Sequence, residues 1–174
     1  MEKEDIIVNK VDQSGLEQFD LERLKVRGER VLFDLKNWLY EELILKEKDF
    51  REKLKAHDWT QYKGKLVAVT CTADAIVPTW AYMLVATELQ PYAQKIIFGD
   101  LNKLEEELYR DKISALNPEE YRNQKMIIKG CGDVPVSAFV ELTNFLRPLT
   151  KSIMYGEPCS TVPVYKAKGS AVSE

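Results

Sequence analysis

The sequence predicts an α/β fold: a three-layer sandwich with a mainly parallel sheet, a βαβαβαβ core over residues 65–156, and a mostly helical N-terminal cover. Three observations predict it. Short, apolar, β-branched runs alternate with longer stretches of helical spacing across residues 65–156. The runs end at Thr70, Phe98, Ile128 and Tyr155, close to the ~30-residue period of a βαβ unit. Right-handed crossovers then make the strands parallel and put helices on both faces. A length of 174 residues suits a single domain, residues 1–165, followed by a small, polar and disordered tail, 166–174.

The N-terminal part is the less regular. Ile6-Ile7-Val8 reads as an edge strand, and Val31-Leu32-Phe33 as a short strand or a helix entry. Leu35, Trp38, Leu39 and Leu43 have helical spacing behind Asp34, a suitable cap. A second helix, from Glu47 to His57, offers Phe50 and Leu54 to the core. No Pro/Gly/Ser linker separates this part from the rest.

The first core strand, Leu66 to Thr70, is apolar throughout and so reads as buried on both faces. Thr79 to Leu89, entered at Pro78, is a helix apolar nearly all round, which implies cover on most sides. Ile96-Ile97-Phe98 is the second strand. Asp100 caps a helix carrying Leu101, Leu104 and Leu108, with Glu105, Glu106 and Glu107 toward its positive end. Asn117-Pro118 opens a loop to the third strand, Met126-Ile127-Ile128. The last helix begins at Val136, presents Phe139, Leu142, Thr143 and Leu146 on one face, and stops at Pro148. Ile153-Met154-Tyr155 is the fourth strand. The expected order across the sheet is second, first, third, fourth, with a switch point between the first and third.

Composition narrows the partners. A net charge of −3 argues against the field of Lys and Arg that grips nucleic acid. No apolar run approaches the ~18 residues of a membrane span, and MEKEDIIVNK lacks the apolar centre of a secretion signal. The expectation is a cytoplasmic protein whose thiols stay reduced. An odd count of three cysteines leaves at least one outside any intrachain disulfide.

All three cysteines follow core strands, in the segments CTAD, KGCGD and GEPCS. That edge is where open α/β sheets place ligands. Cys71, Cys131 and Cys159, supported by Asp74 and Asp133, are therefore candidate ligands for zinc, for an iron–sulfur cluster or for sulfur itself. In the expected order their strands are consecutive. No CxxC pair is present, and the plain alternative is that each is a small buried hydrophobe. Gly130 and Gly132 flank Cys131 at a strand-to-helix turn, so backbone N–H groups there could hold a phosphate-bearing anion. Neither GxGxxG nor a GKS/GKT loop is present, and the same turn also reads as a simple one with Asp133 as helix cap. His57 is the single histidine, which excludes three-histidine zinc sites. Beside Asp58 and Trp59 it reads as structural. Trp38, Trp59, Trp80 and Tyr155 read as core or interface, and KEKDFREKLK as a solvated helix face.

The strings IVNKV, LILKEKDFREKLKAHDW, CTADAIVPTWAYM, FGDL, KGCGD and SIMYGEPCSTVPVYK resemble an uncharacterised bacterial family, the domain of unknown function numbered 2480. The resemblance covers nearly the whole chain and carries no assigned reaction. It implies an association with sulfur mobilisation and with iron–sulfur assembly proteins as partners. Three function classes follow. The first is an accessory in iron–sulfur or thiol metabolism; the second is an enzyme or sensor for a small anion at the Gly130–Asp133 loop. The third is a homodimeric interaction module with inert cysteines.

Overall fold

A computed structural model describes residues 15–130, 132–157 and 159–168. The fold is mixed α/β with mainly parallel strands and, among the described residues, four α-helices. The chain forms two compact units. Unit 1 comprises residues 1–25 and 109–174, and unit 2 is residues 26–108. No helix among the described residues is long and apolar enough to cross a membrane.

Unit 2 contains β2 (Arg30–Asp34), α1 (Glu47–Ala56), β3 (Leu66–Thr70), α2 (Thr79–Leu89) and β4 (Lys95–Phe98). They follow β1 (Leu16–Asp20), which belongs to unit 1. The sheet order is β2-β3-β4, all parallel, with Val31 opposite Val67 and Val67 opposite Ile96. Period-two alternation sends Val67 and Val69 to one face, with Phe33, Phe50, Leu54, Val85 and Leu89. Leu66 and Ala68 go to the other, against Leu104 and Leu108 of α3 (Leu101–Ser114). Burial of β3 on both faces is what its continuous apolar run requires.

Unit 1 contains β5 (Lys125–Lys129), α4 (Val136–Leu146), β6 (Ser152–Glu157) and β7 (Ser160–Lys166). Its sheet order is β1-β5-β6-β7, with β1, β5 and β6 parallel and β7 antiparallel to β6. Met126, Ile128 and Ile153 pack with Leu21, with Ala138, Leu142 and Leu146 of α4, and with Tyr109 and Ile113 from the second half of α3.

The expected strand order is corrected. The first and third core runs, β3 and β5, are not neighbours; each lies in its own sheet. β1 and β2 take the positions beside them, pairing Phe19 with Ile128 and Phe33 with Val69. The segment before residue 65 therefore supplies two parallel strands as well as α1, beside short 3₁₀ turns such as Leu35–Trp38 and Trp59–Tyr62. LEQFD escaped notice because three of its five residues are polar. The expected strand at Ile6–Val8 lies outside the described residues. The chain also remains ordered beyond Tyr155, where β7 runs to Lys166; residues 169–174 of the expected tail lie outside the described residues.

Candidate functional site at the carboxyl ends of the strands

In unit 1 the parallel strands β1, β5 and β6 finish at one edge, on Asp20, Lys129 and Glu157. Asp20 is the register partner of Lys129, and Glu157 closes β6 one residue beyond that register. Lys129 Nζ lies 3.9 Å from Asp20 Oδ2 and 3.8 Å from Glu157 Oε2. Asp20 also accepts the Glu22 backbone N–H at 3.0 Å, which caps the turn Leu21–Leu24. With Glu22, Gly130, Tyr155 and Gly156 they line a cavity of about 340 Å³. A second cavity, about 320 Å³, shares Glu22 and is lined by Lys25, Tyr109, Gly132, Asp133 and Val134. Lys25 Nζ sits 3.1 Å from Asp133 Oδ2. Across the two cavities four carboxylates meet two lysines. The local charge is negative.

Cys159 is exposed, in the two-residue turn between Glu157 and Ser160, which pair across the β6–β7 hairpin. Gly156 makes that turn feasible. Its φ is +120°, and a Cβ there would stand 2.5 Å from the Ser160 carbonyl oxygen. Cys131 lies outside the described residues; the glycines flanking it in the chain line the two cavities. Asp133 pairs with Lys25, and α4 begins after Pro135 with no side-chain cap, so Asp133 does not cap that helix.

Cys71 follows β3 in unit 2. The three cysteine-bearing strands are thus not consecutive in one sheet, because β3 and β5 belong to different sheets. Cys71 is half-buried against the core, with its Sγ 3.9 Å from the Ala73 carbonyl. Nearby, Asp34 accepts the Lys36 and Thr72 backbone N–H groups at 2.9 and 3.0 Å and the Thr72 hydroxyl at 2.5 Å. Burial opposes ionisation of Asp34, yet these bonds hold its carboxyl below the usual range. Burial raises the Tyr82 phenol, and the charges of Cys71 and Asp34 raise it further. Asp74 is exposed in the loop that follows Cys71. Asp100 accepts the Lys103 N–H at 2.8 Å and caps α3, as its sequence position predicts. Among the described residues no group of three or more His, Cys, Asp or Glu side chains is arranged to hold a metal ion.

His57 packs among aromatic side chains. Its ring stands 4.6 Å from Trp59 and 5.2 Å from Trp38, centroid to centroid, and its Nε2 is 3.2 Å from the Tyr62 hydroxyl. Sequence reasoning missed Asp20 and Lys129, while Glu157 entered it only as part of GEPCS. Lys129 had a signal, as a charge ending an apolar strand just before a glycine pair. Asp20 had none until β1 was seen.

No curated protein and no solved structure matches this chain. The family model described as protein of unknown function (DUF2480) matches residues 5–167. That match takes in both strand-end loops of unit 1, the whole of unit 2 and every cysteine, and the chain belongs to the DUF2480 family.

Proposed function

We propose that this protein works through sulfur chemistry at the carboxyl end of the β1-β5-β6-β7 sheet, as an accessory in iron–sulfur or thiol metabolism. Cys131 and Cys159 bind a soft cation, zinc or iron, or carry sulfur. The observation behind the reading is the parallel pairing of β5 with β6, Ile128 opposite Tyr155. Cys131 and Cys159 follow those two neighbouring strands, which run ~4.8 Å apart. Thiolates suit soft metals, and the surplus of carboxylates around the loop favours a cation over an anion. Asp133 and Glu157, each two residues from one of these cysteines in the chain, would supply oxygen donors to such a cation. Cys71 and Asp74, in unit 2, drop out of this ligand set. The reading places the protein in the cytoplasm with iron–sulfur assembly proteins as partners.

Elemental analysis of protein purified anaerobically without chelator tests it. Stoichiometric zinc or iron is expected, lost in C131S and in C159S and retained in C71S. Equal metal in the C131S/C159S double variant overturns it. The anion reading at Gly130 and Gly132 keeps one favourable observation: Ser137 Oγ is buried without a hydrogen-bond partner near the uncapped start of α4. A melting temperature raised by inorganic phosphate, with no metal bound, would turn the assignment to that reading.

A further inference from the structure

We propose that the outer ridge of α4 is a self-association surface, on which a second copy of this chain packs its own α4 antiparallel about a two-fold axis through Val140. The inference goes beyond the sulfur reading and does not depend on it. Its residues all lie in unit 1. Ala138, Leu142 and Leu146 are the buried residues of α4. Val136, Val140 and Asn144 follow one another at i, i+4 and i+8 and form an exposed row along the helix. Val136 is 78% exposed and Val140 55%. Beside this row a groove of about 480 Å³ lies between α4 and the β6–β7 hairpin, and no charged side chain lines it. Tyr155 pairs with Val162 across the hairpin and meets Phe139 of α4 edge to face at 5.7 Å. Tyr155 and Val162, both exposed, therefore share the side of the sheet that carries α4. With the helix row they make a bare apolar surface of the kind that marks association.

Spacing and charge select a second copy as the occupant. An i, i+4 row is the ridge that packs between the same ridges of another helix, at a crossing angle of about −50°. A helix crossing at that angle passes from one flank of α4 to the other, so one end of each helix lies over the groove of the other copy. With the axis at Val140, antiparallel packing sets the two Val140 side chains together and Val136 of each copy beside Asn144 of the other. The two ends of α4 differ in charge. Its N-terminal end adjoins the cavities where carboxylates, Asp133 among them, outnumber lysines. At its C-terminal end Arg147, 5.3 Å over the Tyr165 ring, and Lys151 are exposed. Antiparallel helices lay the acidic end of each copy on the basic end of the other and oppose their dipoles, whereas parallel ones would meet like to like. Pairing through the β7 edge is disfavoured, because Pro163 interrupts that strand and the β6–β7 register shifts between Ile153 and Met154. The groove offers little to a small polar ligand, since the Thr143 hydroxyl already donates to the Phe139 carbonyl at 2.7 Å.

Sedimentation velocity of the full chain over a dilution series is the test, and a dimer that dissociates on dilution is expected. V140E and V140K, at a half-exposed position, are each expected to weaken it about a hundredfold, because the axis brings like charges together in an apolar contact. Mixing V140E with V140K is expected to restore association, since each Glu then meets a Lys. Far-ultraviolet circular dichroism, unchanged in both variants, separates these results from unfolding. V136E, off the axis and at a more exposed position, reads the same surface should either of them fail to fold. A wild-type chain that is monomeric at every concentration overturns the inference. A rise in the fluorescence of neutral N-phenyl-1-naphthylamine with that monomer would give the face to a small apolar ligand instead. A dimer that V140E and V140K leave intact overturns the surface. Two folded variants that stay monomeric when mixed overturn the axis through Val140.

Discussion

Gly156 shows how one residue controls the presentation of Cys159. At φ +120° an L side chain is strained, and its Cβ would collide with the Ser160 carbonyl. G156A is expected to cost about 2–3 kcal/mol, combining backbone strain with a displaced turn. An unchanged urea midpoint would refute this. His57 supplies a second residue-scale test. Burial pushes its imidazole below the ordinary value of 6.5, while Asp58 acts in the opposite direction. A depressed folded value means the unfolded chain binds the proton more readily, so stability falls as pH drops below 6.5 and levels off beneath the folded value. Asp34, also depressed, adds loss only at lower pH, from around its ordinary 3.8 downward. H57Q should flatten the slope just below pH 6.5 in urea titrations. A slope identical to wild type would remove His57 as its source.

Among the elements, those with a strong period were legible in the sequence. β3, α2, β4, α3, β5, α4 and β6 all lie where apolar spacing, Pro entries and the Asp100 cap put them. What was not legible was partnership. A run such as LVAVT announces burial on two faces but does not say which strand lies beside it. The neighbours of β3 and β5 are β2 and β1, and β1 carries only Leu16 and Phe19 as apolar residues. β7 was left without an element for another reason: Pro163 breaks its run, and it survives as an edge strand because β6 supplies its ladder. The candidate site followed the same pattern. The strand-end position of the cysteines could be read directly. That Cys131 and Cys159 follow strands of one sheet and Cys71 a strand of another depended on the unseen pairings.

At the scale of the whole molecule, unit 1 is drawn from two stretches of chain, and unit 2 is the continuous stretch Val26–Leu108 between them. The helix α3 belongs to both, giving Leu104 and Leu108 to one core and Tyr109 and Ile113 to the other. All three tryptophans, Trp38, Trp59 and Trp80, fall in unit 2, so their fluorescence reports that unit alone. Leu142 is fully buried in unit 1, and L142A should cost about 2–5 kcal/mol there through lost transfer and a cavity. Because one helix supplies core residues to both units, melting one end of it removes the hydrogen-bonded turn that supports the other. L142A is therefore expected to lower the urea midpoint seen by tryptophan fluorescence as much as that seen by far-ultraviolet circular dichroism. A fluorescence midpoint left at the wild-type value, with a displaced dichroism transition, would mean that unit 2 holds its part of α3 unaided and that the two units unfold separately.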